Sequence, residues 1–226
     1  CGPCSLEPVR LLQAAGHDIT IYYANSNIHP AEEYEHRLAT LRAWAADAGF
    51  EVLEGPYDPA TWEACAGRIG DAAIAEVEGA RAEAGAESEC ASEGASPRAA
   101  VLSVDPARRE ARCRACYRLR LEETARVAAE QGFEGIGTTL SVSPYQYTQV
   151  IREEVERAAA QAGVAPVFED FRPYYDEATR RSRALGMYRQ NYCGCRISDE
   201  EAAAERAERK AQRAAAKQAE RAEHAA

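Results

Sequence analysis

Two cysteines three residues apart constrain this chain more than any other feature: Cys113 and Cys116, in Ala111-Arg-Cys-Arg-Ala-Cys-Tyr-Arg-Leu-Arg-Leu-Glu-Glu-Thr124. On a helix, positions i and i+3 share a face, so both thiolates can grip one metal ion or one cluster iron. They cannot complete a site alone, because tetrahedral zinc or a cubane cluster takes about four ligands. The chain opens with a second pair, Cys1-Gly-Pro-Cys4, and carries a third, Cys193-Gly-Cys195. Any fold it adopts is expected to bring these distant thiols together.

Eight cysteines would also suit a secreted disulfide framework. Such frameworks belong to small secreted domains. This chain has 226 residues, reads as helix-rich and shows no signal peptide, which points to metal or redox chemistry instead. A disulfide between Cys193 and Cys195 would close a small strained ring that is easily reduced, as suits a dithiol relaying electrons. Two further metal ligands, or a reduced loop without function, are the plain alternatives. Cys65 lies on an expected helix with Trp62 and reads as a small buried hydrophobe. Cys90 reads as an incidental exposed thiol. The chain begins without Met, so an upstream segment is expected.

Hydrophobic spacing sets out alternating helices and strands. A helix is expected from an N-cap at Ser5 to Gly16, followed by a strand at Ile19–Ala24 and the polar loop Asn25–His29. The next helix runs from Pro30 to Gly49 with Tyr34, Leu38, Leu41 and Ala45 inward. After a strand at Glu51–Glu54, a third helix starts near Pro59, with Trp62, Ala66, Ile69, Ala73 and Val77 on one side. Residues 79–98, rich in Ala, Gly, Ser and Glu, read as a low-complexity insertion. The Cys113–Cys116 helix ends at Gln131-Gly132. Further strands are expected at Gly135 onward and Val164–Phe168. A helix capped by Ser143-Pro144 lies between them, and a short one follows at Ala178–Leu185. Such alternation means an α/β fold with a mainly parallel sheet, which gathers ligands at the carboxyl ends of its strands. The loops Asn25–His29, Thr138–Ser143 and Asp170–Tyr175 should meet there. Residues 1–198 read as one domain and 199–226 as a charged, Ala-rich tail, helical or disordered, with no assigned chemistry.

A net charge of −10 argues against a strongly basic nucleic-acid binder, yet the charge is uneven. Residues 105–126 hold seven Arg against four acids, and residues 171–196 six against two. A locally positive face attracts phosphate even on an acidic protein. Arg172, Arg180, Arg181, Arg183 and Arg189 are the candidate phosphate holders. Tyr145, Tyr147 and Tyr188 are candidates to stack on an extruded base. His29 is read as a loop or capping residue. No apolar run approaches the roughly 18 residues of a membrane span.

Five stretches together resemble one known family. They are Tyr23-Ala-Asn-Ser-Asn-Ile-His-Pro-Ala-Glu-Glu-Tyr34, Cys113-Arg-Ala-Cys-Tyr-Arg-Leu-Arg-Leu121, Thr138-Thr-Leu-Ser-Val-Ser-Pro-Tyr-Gln146, Asp170-Phe-Arg-Pro-Tyr-Tyr175 and Gly186-Met-Tyr-Arg-Gln-Asn-Tyr-Cys-Gly-Cys195. In combination they are similar to the QueH-type epoxyqueuosine reductases, over Cys1 to about Ser198 apart from the insertion. The resemblance implies a HUP-like three-layer α/β fold and a cytoplasmic iron–sulfur oxidoreductase of tRNA processing. Its implied substrate is tRNA bearing epoxyqueuosine at the wobble position, reduced to queuosine in the last step of queuosine biosynthesis with electrons from a separate donor. It implies a 4Fe-4S cluster beside a further iron, with ligands Cys1, Cys4, Cys113 and Cys116, and a redox-active disulfide pair at Cys193 and Cys195. The family's N-terminal motif has a cysteine and an apolar strand before the position of Cys1, so the first strand is missing from this sequence.

Epoxide to alkene consumes two electrons and two protons and releases water. A Tyr or Asp within Asp170–Asp176 is a candidate proton donor. One rival reading is a HUP-like, ATP-using tRNA-thiolation enzyme, which needs a Gly-Ser-rich phosphate loop where this chain has Cys1-Gly-Pro-Cys4-Ser5. The other is a zinc-stabilised RNA-binding module without catalysis, which gives Cys193-Gly-Cys195 no role.

Overall fold

The computed structural model describes residues 2–86 and 105–224, so Cys1, Cys90 and residues 87–98 of the expected insertion lie outside the described residues. In chain order the elements are α1 (Gly2–Ala14), β1 (Ile21–Tyr23), α2 (Ala31–Ala48), β2 (Val52–Glu54), α3 (Pro59–Trp62) and α4 (Arg68–Ala86). They continue as α5 (Pro106–Gln131), β3 (Gly135–Gly137), α6 (Thr148–Ala162), β4 (Ala165–Val167), α7 (Tyr175–Ala184) and α8 (Arg196–His224).

The strands pair in parallel as two ribbons, β1 with β2 and β3 with β4, with Ile21 opposite Val52 and Gly135 opposite Ala165. The class is α/β, dominated by helix. Each ribbon is covered by the helix that crosses over it. Around β1, Tyr23, Ile28, Tyr34, Leu38 and Leu41 form one core, so the expected inward face of α2 is the buried one. Around β3, the largest core joins Tyr117, Leu121 and Ala125 of α5 to Val150, Ile151 and Val155 of α6. Gly49, Gly132 and Gly163 end α2, α5 and α6 in the left-handed conformation, at φ 78°, 79° and 74°. A glycine reaches that conformation without steric cost.

Three local expectations change. Ser5 does not cap α1; it is buried inside a helix that already begins at Gly2. Ser143 caps a turn, its Oγ accepting from Tyr145 N at 3.3 Å and its carbonyl from Gln146 N at 3.2 Å, and α6 starts only at Thr148. Between α3 and α4, Glu63–Gly67 is π-helical. A π turn holds one residue more than an α turn, which rotates the register downstream. Gly67 and Gly70 therefore turn inward beside Ala66 and Ala73, which are buried as expected, and Ile69 is left 37% exposed.

The charged tail is helical through His224. Ile197, Glu201 and Ala204 anchor its first turns in the interior, and among the described residues none after Ala204 is buried.

Candidate active site

The three strand-end loops do meet. Asn25 and Ile28 after β1, Thr139 and Ser143 after β3, and Tyr175 after β4 line one cleft of about 710 Å³. A recess of about 340 Å³ adjoins it, lined by Cys113, Cys116, Cys193, Cys195, Trp62 and Tyr117. Cys193 and Gln146 border both spaces, so the recess opens into the cleft beside them.

Helix α5 delivers the first two thiols. Asp105 caps it, its carboxylate accepting from Ala107 N at 2.6 Å, and Pro106 fills the first turn, where a missing N–H costs nothing. Two turns later Cys113 and Cys116 share the face turned to the recess. Cys116 is buried and Cys113 half-buried. The other two thiols sit where the chain enters α8. Cys195 caps that helix through sulfur: its Sγ accepts from Ser198 N at 3.3 Å, while Ser198 Oγ donates to Cys195 O at 2.8 Å. Gly194, at φ 143°, makes the bend and holds its carbonyl to His29 N at 2.9 Å. Buried Arg37 donates to Cys193 O at 2.9 Å, is bound by Glu33 at 2.6 Å and lies over the Tyr192 ring. The Cys193-Gly194-Cys195 corner is thus clamped to the Asn25–His29 loop, and Arg120 clamps that loop to α5 through Ala24 O and Asn25 Oδ1, each at 2.7 Å. His29 caps locally, its Nδ1 paired with Asn27 O at 3.0 Å, in keeping with the role read from sequence.

Burial pushes the Cys113 and Cys116 thiols up to about 12, and the nearby sulfurs Cys193 and Cys195 push the same way; Arg112 pulls Cys113 back and Arg120 pulls Cys116 back. Cys195 is raised by burial and by Cys193, against Arg112 and the Ser198 bonds. Cys193 is exposed at the mouth, where Gln146 Nε2 donates to its sulfur at 3.5 Å. Tyr117 sets that amide by donating to Gln146 Oε1 at 2.6 Å. Buried Arg112 forms two hydrogen bonds to Glu201, at 2.8 and 3.0 Å, and reaches within 4.0 Å of Cys113 Sγ. This pair ties α5 to α8 across the recess.

The recess suits a metal–sulfur group. Thiols raised by burial give up their protons when a metal binds them. Asn27 Oδ1 is buried in its wall without a hydrogen-bond partner, and the buried Trp62 indole N–H faces Cys116 and favours its thiolate, as suits a negatively charged sulfur. Cys113 and Cys116 are the pair placed to hold such a group. Cys4, half-buried on α1, lines the cleft and receives Gln190 Nε2 at 3.8 Å. Among the described residues, no three of His, Cys, Asp and Glu are arranged to hold a metal.

Of the arginines named from sequence, Arg172, Arg180 and Arg181 are bound by Asp170, Glu177 and Glu7. Arg183 is exposed, and Arg189 lines the cleft. Tyr145 is 80% exposed at the cleft edge and meets Tyr175 edge-on at 6.2 Å. Tyr147 packs into the α5–α6 core, and Tyr188 stacks on His36. Cys65 donates to Trp62 O at 3.5 Å and packs in the core beside the recess. Glu201 and Gln146 escaped sequence reasoning: neither residue type advertises a contact with a thiol site, although Gln146 closes one of the five motifs.

The family model described as "Epoxyqueuosine reductase QueH" matches residues 1–83 and 94–201. Curated relatives bearing that name include one from Dehalococcoides mccartyi, 29% identical over 202 residues, covering 89% of this chain and 90% of that protein. One from Staphylococcus aureus is 28% identical over 204 residues, covering 86% and 71%. One from Thermotoga maritima is 40% identical over a shorter stretch of 89 residues, 38% and 46%. This chain belongs to the QueH family.

Proposed function

We propose that this member of the QueH family reduces the epoxide of epoxyqueuosine in tRNA to the alkene of queuosine. The observation that carries the reading is a four-thiol recess opening, at Cys193, into a cleft large enough for a modified nucleoside. Tyr145 offers an exposed ring at the edge for an unstacked base. Family membership makes this an oxidoreductase. The ligand set we infer for a 4Fe-4S cluster and a further iron is Cys1, Cys4, Cys113 and Cys116, of which Cys113 and Cys116 line the recess and Cys4 lines the adjoining cleft. Bound there, iron would supply Lewis-acid polarisation of the C–O bond and a path for single electrons.

The chain's own residues close the balance. Oxidising Cys193 and Cys195 to a disulfide yields two electrons and two protons. The epoxide takes up both, breaks its two C–O bonds, and leaves as alkene and water. A separate donor then reduces the disulfide. Gln146 holds the Cys193 sulfur at the mouth. Within Asp170–Asp176, Asp170 is bound by Arg172, which holds its carboxyl below the usual range, so it is poorly suited to give up a proton at neutral pH. Tyr175 lines the cleft, its hydroxyl raised by burial and by Tyr145, and is the better placed proton donor to the departing oxygen. The parallel ribbons with their crossover helices are in keeping with a HUP-like three-layer fold, and we place the protein in the cytoplasm with its tRNA substrate. Among the described residues no helix is long and apolar enough to cross a membrane.

The test is anaerobic purification and cluster reconstitution, then incubation with epoxyqueuosine tRNA and a reductant. Nucleoside mass spectrometry should show queuosine forming with loss of one oxygen. A colourless protein that holds only zinc and turns over no tRNA would leave the RNA-binding module as the better account.

A further inference from the structure

The family match ends at Glu201, yet α8 continues to His224. The continuation is not spent on the core. One face of it walls the cleft with Arg206, Arg209, Lys210 and Arg213, and Glu205 is the acid among its cleft-lining residues. The spacing follows the helix, 206, 209/210, 213, so the charges form a stripe. Helix α8 also carries acids, but among those after Glu201 the described cleft lining includes only Glu205. Glu205 meets Arg209 at 3.2 Å, and Asp199 meets Arg206 at 3.9 Å, both exposed pairs worth little and readily exchanged. Among the described residues no ion pair engages Lys210 or Arg213. Across the cleft Arg189 reaches a hydroxyl, Thr179 Oγ1 at 3.4 Å. The cleft therefore has a basic wall on a protein whose net charge is −10.

We infer that the distal part of α8 is a phosphate-binding arm for the tRNA, gripping the backbone beside the nucleoside that enters the cleft. The inference rests on the reading of tRNA as substrate, and it assigns to residues beyond the family match a share of the affinity. An exposed polyanion is the ligand that a solvated stripe of Arg and Lys fits, because neutralising phosphates releases counterions at no cost in core packing.

The experiment compares the full-length wild type with the triple variant Arg209→Gln, Lys210→Gln, Arg213→Gln. A charge-matched control carries Arg10→Gln, Arg42→Gln, Arg126→Gln, all outside the cleft lining. All three positions of the variant are exposed, so folding is not at stake. Binding to unmodified tRNA and turnover of epoxyqueuosine tRNA are measured from low to high salt. At ~0.7–0.9 counterions per phosphate, losing three contacts should weaken binding about a hundredfold at 0.1 M salt and flatten the log–log salt slope by about 2–3. Turnover at saturating tRNA should hold, and the control should match wild type. Affinity and slope within twofold of wild type, or an equal loss in the control, would overturn the inference. So would unchanged tRNA binding with slower reduction by an acidic redox protein, which would make α8 a protein-docking face. A wild type that binds tRNA with this salt dependence but converts none would refute the reductase reading and leave the arm standing.

Discussion

Replacing Glu201 by Gln tests how the recess is held together. Arg112 and Glu201 are 4% and 5% exposed and share two hydrogen bonds. The substitution keeps the shape and one acceptor oxygen but leaves the guanidinium in the interior without its counter-charge. Breaking one side of a buried pair costs ~3–5 kcal/mol. The retained oxygen places Glu201→Gln near the low end, about 3 kcal/mol, which for a chain of this size lowers Tm by roughly 6–12 °C. Arg109 also loses its contact with Glu201 at 3.0 Å, but it is 43% exposed and adds at most about 1 kcal/mol. The double replacement Arg112→Met with Glu201→Leu removes both charges and fills the space with apolar atoms, so it should cost less than Glu201→Gln alone. Urea unfolding of all variants, metal-free and under reductant, gives the cycle. A Glu201→Gln cost below about 1 kcal/mol, or single Arg112→Met and Glu201→Leu costs that add to the double within ~0.5 kcal/mol, would refute the claim that this pair joins α5 to α8.

Other perturbations have definite outcomes. Gly194→Ala puts a side chain at φ 143°, with its Cβ 2.9 Å from Asn27 Nδ2 and 3.0 Å from Ile28 Cγ1. Strain of ~1–3 kcal/mol plus the clash should lower the urea midpoint and speed alkylation of Cys195, whereas an unchanged midpoint would show that the corner is not clamped. Gly70→Ala should destabilise although Ala favours helix by ~1 kcal/mol, because its Cβ would collide with Ile197 Cδ1 and approach Arg112 Cδ to 2.9 Å; a stabilised variant would contradict that close approach of α4. Brief iodoacetamide treatment of the metal-free, reduced protein at pH 8 should label Cys193 before Cys116 and Cys195, by peptide mapping, since the latter two are buried and their thiols raised; equal rates would mean the recess is open. Buried Glu154 feels an upward push from burial that is outweighed by Arg118 and Arg157, so its carboxyl sits lower folded than unfolded. Its stabilisation is therefore full above the ordinary Glu range and is lost as pH falls through the folded value. Glu154→Gln should remove that part of the acid sensitivity below about pH 4.5, and an identical acid profile would contradict the sign.

What could be read from sequence was local. The inward face of α2 follows from the spacing of Tyr34, Leu38, Leu41 and Ala45, and those residues are buried. The i, i+3 geometry of Cys113 and Cys116 follows from helix periodicity. The meeting of three loops follows from parallel α/β topology. The face of the third helix failed at Ile69, because a π turn gives no periodic signal, although Trp62, Ala66 and Ala73 are buried as expected. The long-range partners were out of reach for a different reason. Nothing near Glu201 marks it as the counter-charge of a residue 89 positions earlier, and nothing in Gln146 shows that Tyr117 turns its amide toward Cys193. The tail misled in the opposite sense. A helix without an apolar stripe looks idle, yet Ile197 and Ala204 suffice to fix its base, and its basic stripe then follows the cleft.

We propose that Cys193 and Cys195, beside Cys113 and Cys116, deliver the two electrons that open the epoxide. The most direct measurement is a single turnover: reconstituted, fully reduced protein mixed anaerobically with epoxyqueuosine tRNA and no external donor. Queuosine is counted by nucleoside mass spectrometry and the state of each cysteine by differential alkylation. One Cys193–Cys195 disulfide should form for each queuosine, and neither product should form with Cys193→Ser. Queuosine formed in equal yield while both thiols stay reduced would contradict the proposal.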